Sequence, residues 1–142
     1  MILLLVVHGL LLAVLGMVLG FPLSHVITAA DAERAQLAWR SSHTTLVTGG
    51  TLYIAVAAVG HHLALGARAA RFATGSLVLA SYIFAAVFTA GPLLGARGLE
   101  PVGPPSHIAV HVGFLAAIAL LLAGFGVILW GACAALWQGR RS

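Results

Sequence analysis

Charge is scarce in this chain of 142 residues: ten charged side chains, seven of them arginines and three acids, with no lysine. With 61% hydrophobic and 7% charged residues, a water-soluble globular fold is excluded. Cysteine is nearly absent too. The single Cys133 rules out an intramolecular disulfide and a Cys-x-x-Cys-His haem attachment, and reads as a small packing residue. There are no internal repeats, low-complexity linkers or phosphate-binding glycine loops. At this length no second domain or aqueous catalytic module fits, so any chemistry must be built from the apolar segments and the loops between them.

The charges fall at positions 31 to 40, 68 to 71, 97 to 100 and 140 to 141. Between them lie four uncharged stretches, Met1 to Ala30, Ser41 to Ala67, Phe72 to Ala96 and Pro101 to Gly139. Each contains the roughly 20 apolar residues needed to cross a bilayer. None alternates with period two, and backbone amides in hydrocarbon must bond within their own segment, so helices are expected over a barrel. The pattern predicts an all-α integral membrane bundle, one domain over 1–142, with transmembrane helices at about 2–23, 43–65, 72–94 and 107–137. The first run has no Lys or Arg ahead of it and is long enough to span, so it reads as a helix and not as a secretory signal. Gly16 and Gly20, four apart, predict a close helix contact. In the outer loop, 24–42, Asp31 suits a cap, Glu33 follows in the first turn, and a short surface helix is expected, with Trp39 and Arg40 as an interfacial anchor.

An isoelectric point near 10.7 invites a nucleic-acid partner. The arginines are scattered over loop ends, however, and read as topology signals and lipid-headgroup contacts. Arg68, Arg71, Arg140 and Arg141 lie on one side, and Arg34, Arg40 and Arg97 on the other beside Asp31, Glu33 and Glu100. That margin of four to three predicts a multi-pass protein of the plasma (inner) membrane with both termini cytoplasmic.

Seven histidines are numerous in so apolar a chain, and intramembrane ionisable groups are functional candidates by default. His43 and His61 are eighteen residues apart on one helix, about 27 Å, and cannot share a site. His8, His61 and His62 belong to one membrane half, and His25, His43, His107 and His111 to the other. His107 and His111, spaced i and i+4, point the same way as two ligands of one metal would; histidines near helix ends also simply snorkel to headgroups. His43 stands out by its surroundings, Trp39-Arg40-Ser41-Ser42-His43 followed by Gly49-Gly50. A neutral imidazole there can ligate haem iron, the glycines would admit a flat macrocycle, and Arg40 would pair a propionate.

Several segments together resemble styrene oxide isomerase. These are His8-Gly9-Leu10-Leu11, Trp39-Arg40 with His43, Tyr53-Ile54-Ala55-Val56-Ala57, Arg71 with Gly75-Ser76-Leu77-Val78-Leu79, and Gly103-Pro104, in the family's order over nearly the whole chain. The resemblance implies a homotrimer binding non-covalent haem b at subunit interfaces, with His43 as the axial ligand. It further implies ferric haem acting as a Lewis acid on the oxygen of a small hydrophobic epoxide, opening of the C–O bond and a hydride shift to the carbonyl compound, without net redox change. A low-dielectric pocket suits this, because water would capture the developing carbocation.

Departures from the family pattern are equally specific. The family's acid falls on Ser81, its active-site tyrosine on Thr89, and its amide six residues after the axial histidine on Gly49, while His107 and His111 are unexpected. Two haem readings follow. In one, the iron isomerises an epoxide with polar help from Ser81, Tyr82 or Thr89. In the other, His107 or His111 takes the sixth iron position, giving bis-histidine haem for electron transfer, sensing or haem handling. A non-haem reading has His43, His107, His111 and His25 hold zinc or copper.

Overall fold

A computed structural model describes residues 2–29, 33–96 and 100–139. Regular structure among them is entirely helical: α1 (Ile2–Val18), α2 (Gly20–Thr28), α3 (Glu33–Val59), α4 (Ala67–Leu94) and α5 (Pro105–Gly139), with a 3₁₀ turn at Gly60–His62. Four helical spans are long and apolar enough to cross a membrane, Leu3–Thr28, Glu33–His62, Ala67–Leu94 and Pro105–Gly139. The protein is an all-α, four-span, multi-pass membrane bundle.

Three boundaries depart from the sequence reading, each for a local reason. The first span continues past Leu23 to Thr28 but breaks at Leu19. Pro22 has no N–H to return to the Val18 carbonyl, and the ladder is interrupted there. Residues from Glu33 onward do not form a separate surface helix; they are the first turns of α3, because the segment Glu33 to Thr48 contains no glycine or proline to stop it. Asp31, the expected cap, lies outside the described residues, as do Arg97, Arg140 and Arg141. Helix α4 starts at Ala67, five residues early, since Ala67-Arg68-Ala69-Ala70-Arg71 are all strong helix formers after the extended Gly66.

Packing divides the molecule into two hairpin-like halves, α1 and α2 on α3, and α4 on α5. Small residues set the first contact. A Cβ on Gly9 would lie 2.7 Å from the Gly50 carbonyl oxygen, and one on Gly50 would run into the Gly9 carbonyl. Gly16 abuts Val47, so the expected close approach at Gly16 and Gly20 is made against α3. In the second half Gly124 receives Leu77, and Gly131 receives Leu65. Leu5, Leu12, Leu46, Tyr53 and Leu77 form the buried core between the halves.

Two bonds from side chains to backbone carbonyls tie the halves together. Tyr53 donates its hydroxyl to the Leu77 carbonyl at 2.6 Å. The Ser42 hydroxyl lies 2.5 Å from the Phe88 carbonyl oxygen and 3.0 Å from that of Ala38. The Phe88 contact answers a need in the sequence: Pro92, inside α4, cannot donate to the carbonyl four residues back, and Ser42, fully buried on α3, supplies the missing donor. Beyond Pro92 the helix closes in a Schellman motif, with Gly95 at φ 61°, Ala96 N–H bonded to Gly91 and Gly95 N–H bonded to Pro92. Ser42→Ala is expected to cost about 1–3 kcal/mol of stability. Thermal unfolding in detergent measures this, and in a Pro92→Ala background, where Phe88 regains an amide donor, the cost should largely vanish.

Candidate functional site

Trp39, Arg40 and His43 are spaced i, i+1 and i+4 on α3, which brings them to one stripe of that helix. Trp39 packs half-buried against the core, Arg40 is exposed, and His43 is half-buried. The imidazole faces the kinked first span, where His43 Nδ1 lies 2.8 Å from the Gly16 carbonyl oxygen. A carbonyl oxygen only accepts, so Nδ1 carries the proton and Nε2 keeps its lone pair. This backbone bond to one ring nitrogen is the support that ligating histidines use to fix tautomer and ring orientation. Gly20 makes the space: a Cβ there would lie 3.3 Å from Nδ1 and 3.5 Å from Cε1.

The two glycines after His43 separate. Gly50 is buried and consumed by the contact with Gly9, so it cannot also admit a macrocycle. Gly49 has open space where its side chain would be, and lines a shallow groove of about 350 Å³ with Thr44, Thr45, Thr48 and Leu52. At 100° per residue that groove lies on the far side of α3 from His43.

The other histidines do not join His43. His107 donates Nε2–H to the Leu94 carbonyl at 3.1 Å, folding back onto the end of α4. His111 is half-buried one turn further along α5. His25 is exposed near the end of α2, and the rings of His61 and His62 touch each other, tilted by 42° with centroids 3.8 Å apart, at the opposite membrane face. Among the described residues no three His, Cys, Asp or Glu side chains converge as a metal would require.

Ser81, Tyr82 and Thr89 also diverge. Ser81 is buried beside Tyr53 and donates to the Val78 carbonyl at 2.6 Å. Thr89 donates to the Ala85 carbonyl of its own helix at 2.7 Å. Tyr82 is half-exposed, its hydroxyl 2.8 Å from His8 Nδ1 and the rings edge-to-face at 5.5 Å. That pair spans 74 positions, and no local pattern announces it. The Ser42 contact was findable, since a proline late in a membrane helix leaves a carbonyl in need of a donor.

A half-open pocket of about 270 Å³ lies at the level of Ser42 between α3, α4 and α5, lined by Ser42, Phe88, Gly91, Val110 and Phe114 among others. Phe84, Phe88 and Phe114 form an aromatic cluster beside it, with centroids 5.6 to 5.8 Å apart. The pocket is apolar and separated from His43 by the body of α3.

No curated protein and no solved structure matches this chain. A family model described as styrene oxide isomerase matches residues 2–133, which takes in α1 to α4, most of α5 and every side chain placed above. The chain therefore belongs to the styrene oxide isomerase family.

Proposed function

We propose that this protein is an epoxide isomerase that binds haem b through His43 at the interfaces of a homotrimer and converts small hydrophobic epoxides to carbonyl compounds. The observation that carries the reading is the bond from His43 Nδ1–H to the Gly16 carbonyl, which fixes the ring and leaves the Nε2 lone pair for iron. Arg40, on the same stripe near the membrane surface, is the residue for a propionate, and Trp39 is an apolar wall. When bound, ferric haem would supply a Lewis-acidic iron for the epoxide oxygen. The rest falls to the chain.

Opening the C–O bond builds positive charge on carbon, and the apolar faces of the bundle keep water from trapping it before hydride shifts to the neighbouring carbon. Atoms and electrons balance within the substrate, so no reductant or oxidant is required. Of the three polar candidates on α4, Ser81 and Thr89 have committed their protons to backbone carbonyls. Tyr82, whose hydroxyl keeps its proton free when His8 Nδ1–H donates to it, takes the role of polar assistant in this reading.

The test is an absorption spectrum of the detergent-purified protein, followed by incubation with an aryl epoxide and assay for the aldehyde. A Soret band with a high-spin ferric pattern and aldehyde formation are expected. A protein expressed with ample haem that shows no Soret band overturns the haem assignment. A haem-loaded protein that leaves the epoxide unchanged overturns the isomerase. Gly20→Val, whose branched methyls would press on the imidazole, should weaken haem retention about tenfold, whereas Gly20→Ala should be far milder.

A further inference from the structure

A second groove, of about 620 Å³, opens between the start of α1 and the first turns of α4, lined by Leu4, Arg71, Thr74, Gly75 and Val78 among others. It is far from His43. Helix α3 runs beside α4 with Ser42 against Phe88 and Tyr53 against Leu77, so Arg71 is seventeen residues along α4 from the His43 level, roughly 26 Å. The groove therefore belongs to the other leaflet.

Three independent features mark it as a site for an anion with an apolar tail. First, α4 begins at Gly66 without a side-chain cap, so the free N–H groups of its first turn and the positive end of its dipole sit beside Arg68 and Arg71. Second, Thr74 is 6% exposed and lines the groove, yet its Oγ1 has no hydrogen-bond partner among the described residues. Thr28, Thr44, Thr51 and Thr89 return their hydroxyls to their own helices, whereas among the described residues Thr74 is the one whose buried hydroxyl has no partner. In a helix threonine has two accessible χ1 wells, so a single rotamer step can turn this hydroxyl toward an acceptor in the groove. Third, Gly75 has nothing within 4 Å of where a Cβ would stand, so the groove floor is open, and Leu4 and Val78 continue it as an apolar trough.

We propose that this groove binds an anionic phospholipid. The phosphate is held by Arg71 and the start of α4, the ester region meets Thr74, and an acyl chain lies along Leu4, Gly75 and Val78. Charge complementarity selects an anionic headgroup, and the apolar trough above Thr74 has no use for a soluble anion.

The experiment places the full-length protein in phosphatidylcholine nanodiscs doped with phosphatidylglycerol and reads retained lipid by native mass spectrometry. Wild type should retain phosphatidylglycerol preferentially. Arg71→Gln should lower that preference about fivefold, and Gly75→Phe, which fills open space without touching the core, should remove bound lipid while helicity and oligomeric state stay unchanged. Equal retention of the two lipids overturns the proposal. So does undiminished lipid in Gly75→Phe, full displacement by inorganic phosphate, which would mark a soluble-anion site, or a change in oligomeric state in Gly75→Phe with no lipid on the wild type, which would mean that a second copy covers the groove.

Discussion

Alanine at position 43 is expected to strip haem from the purified protein: no Soret band at any redox state, with helicity unchanged. The side chain is half-buried and stands at the edge of the core, so its removal costs the fold little beyond the bond to Gly16. Its loss should cost the cofactor everything, because the imidazoles of His8, His107 and the His61–His62 pair are engaged elsewhere, at Tyr82, at the Leu94 carbonyl and with each other. Two controls sharpen the result. A His107→Ala protein should keep its spectrum, since that imidazole is spent on the Leu94 carbonyl. Added imidazole should restore a Soret band to the His43→Ala protein, because the cavity left by the side chain is the size of the ligand that fills it. Full haem occupancy in His43→Ala would remove this residue as the ligand.

The second large effect is structural. Gly50→Leu should prevent α1 from seating on α3 at all. The Gly9 and Gly50 backbones approach so closely that a methyl at either position already collides with the carbonyl opposite, and here something must shift in backbone, not in a flexible side chain. Overpacking of a tight contact costs about 1–3 kcal/mol, and separating the helices also forfeits the glycine-mediated packing at Gly16 and the placement of the Gly16 carbonyl under His43. The expected readout is aggregation or a large drop in unfolding temperature, together with loss of haem. Gly49→Leu, one position away and facing open space, should be nearly neutral. Equal behaviour of the two variants would contradict the packing described.

Much of the fold was readable because charge and hydrophobicity are global signals. Ten charged residues mark out the spans, and no tertiary contact can hide a stretch that hydrocarbon must accept. Helix ends were less legible, since they depend on single residues: the continuation of α3 back to Glu33 follows from the absence of a breaker, while the break at Leu19 follows from Pro22 three residues on. The site was legible as a position but not as an environment. His43 could be picked out with its neighbours Trp39 and Arg40, whereas the carbonyl that orients it comes from Gly16, 27 positions earlier, by a route that only packing of α1 on α3 creates. For the same reason the sequence treated Gly49 and Gly50 as a pair, although 100° of helix rotation gives one to the interior and the other to the outside.

The link between the halves has a consequence for how the molecule is made. Each half is closely packed within itself, and two of the bonds that join them, Ser42 to Phe88 and Tyr53 to Leu77, are hydroxyls meeting backbone carbonyls. During biosynthesis the first hairpin can therefore enter the bilayer and close before α4 emerges, with the Ser42 hydroxyl held meanwhile by the Ala38 carbonyl of its own helix and that of Tyr53 waiting in hydrocarbon. These two donors reward only one alignment of the incoming helix, so the assembly step is guided by register more than by greasy contact, and Pro92 leaves the Phe88 carbonyl open, which makes this alignment recognisable.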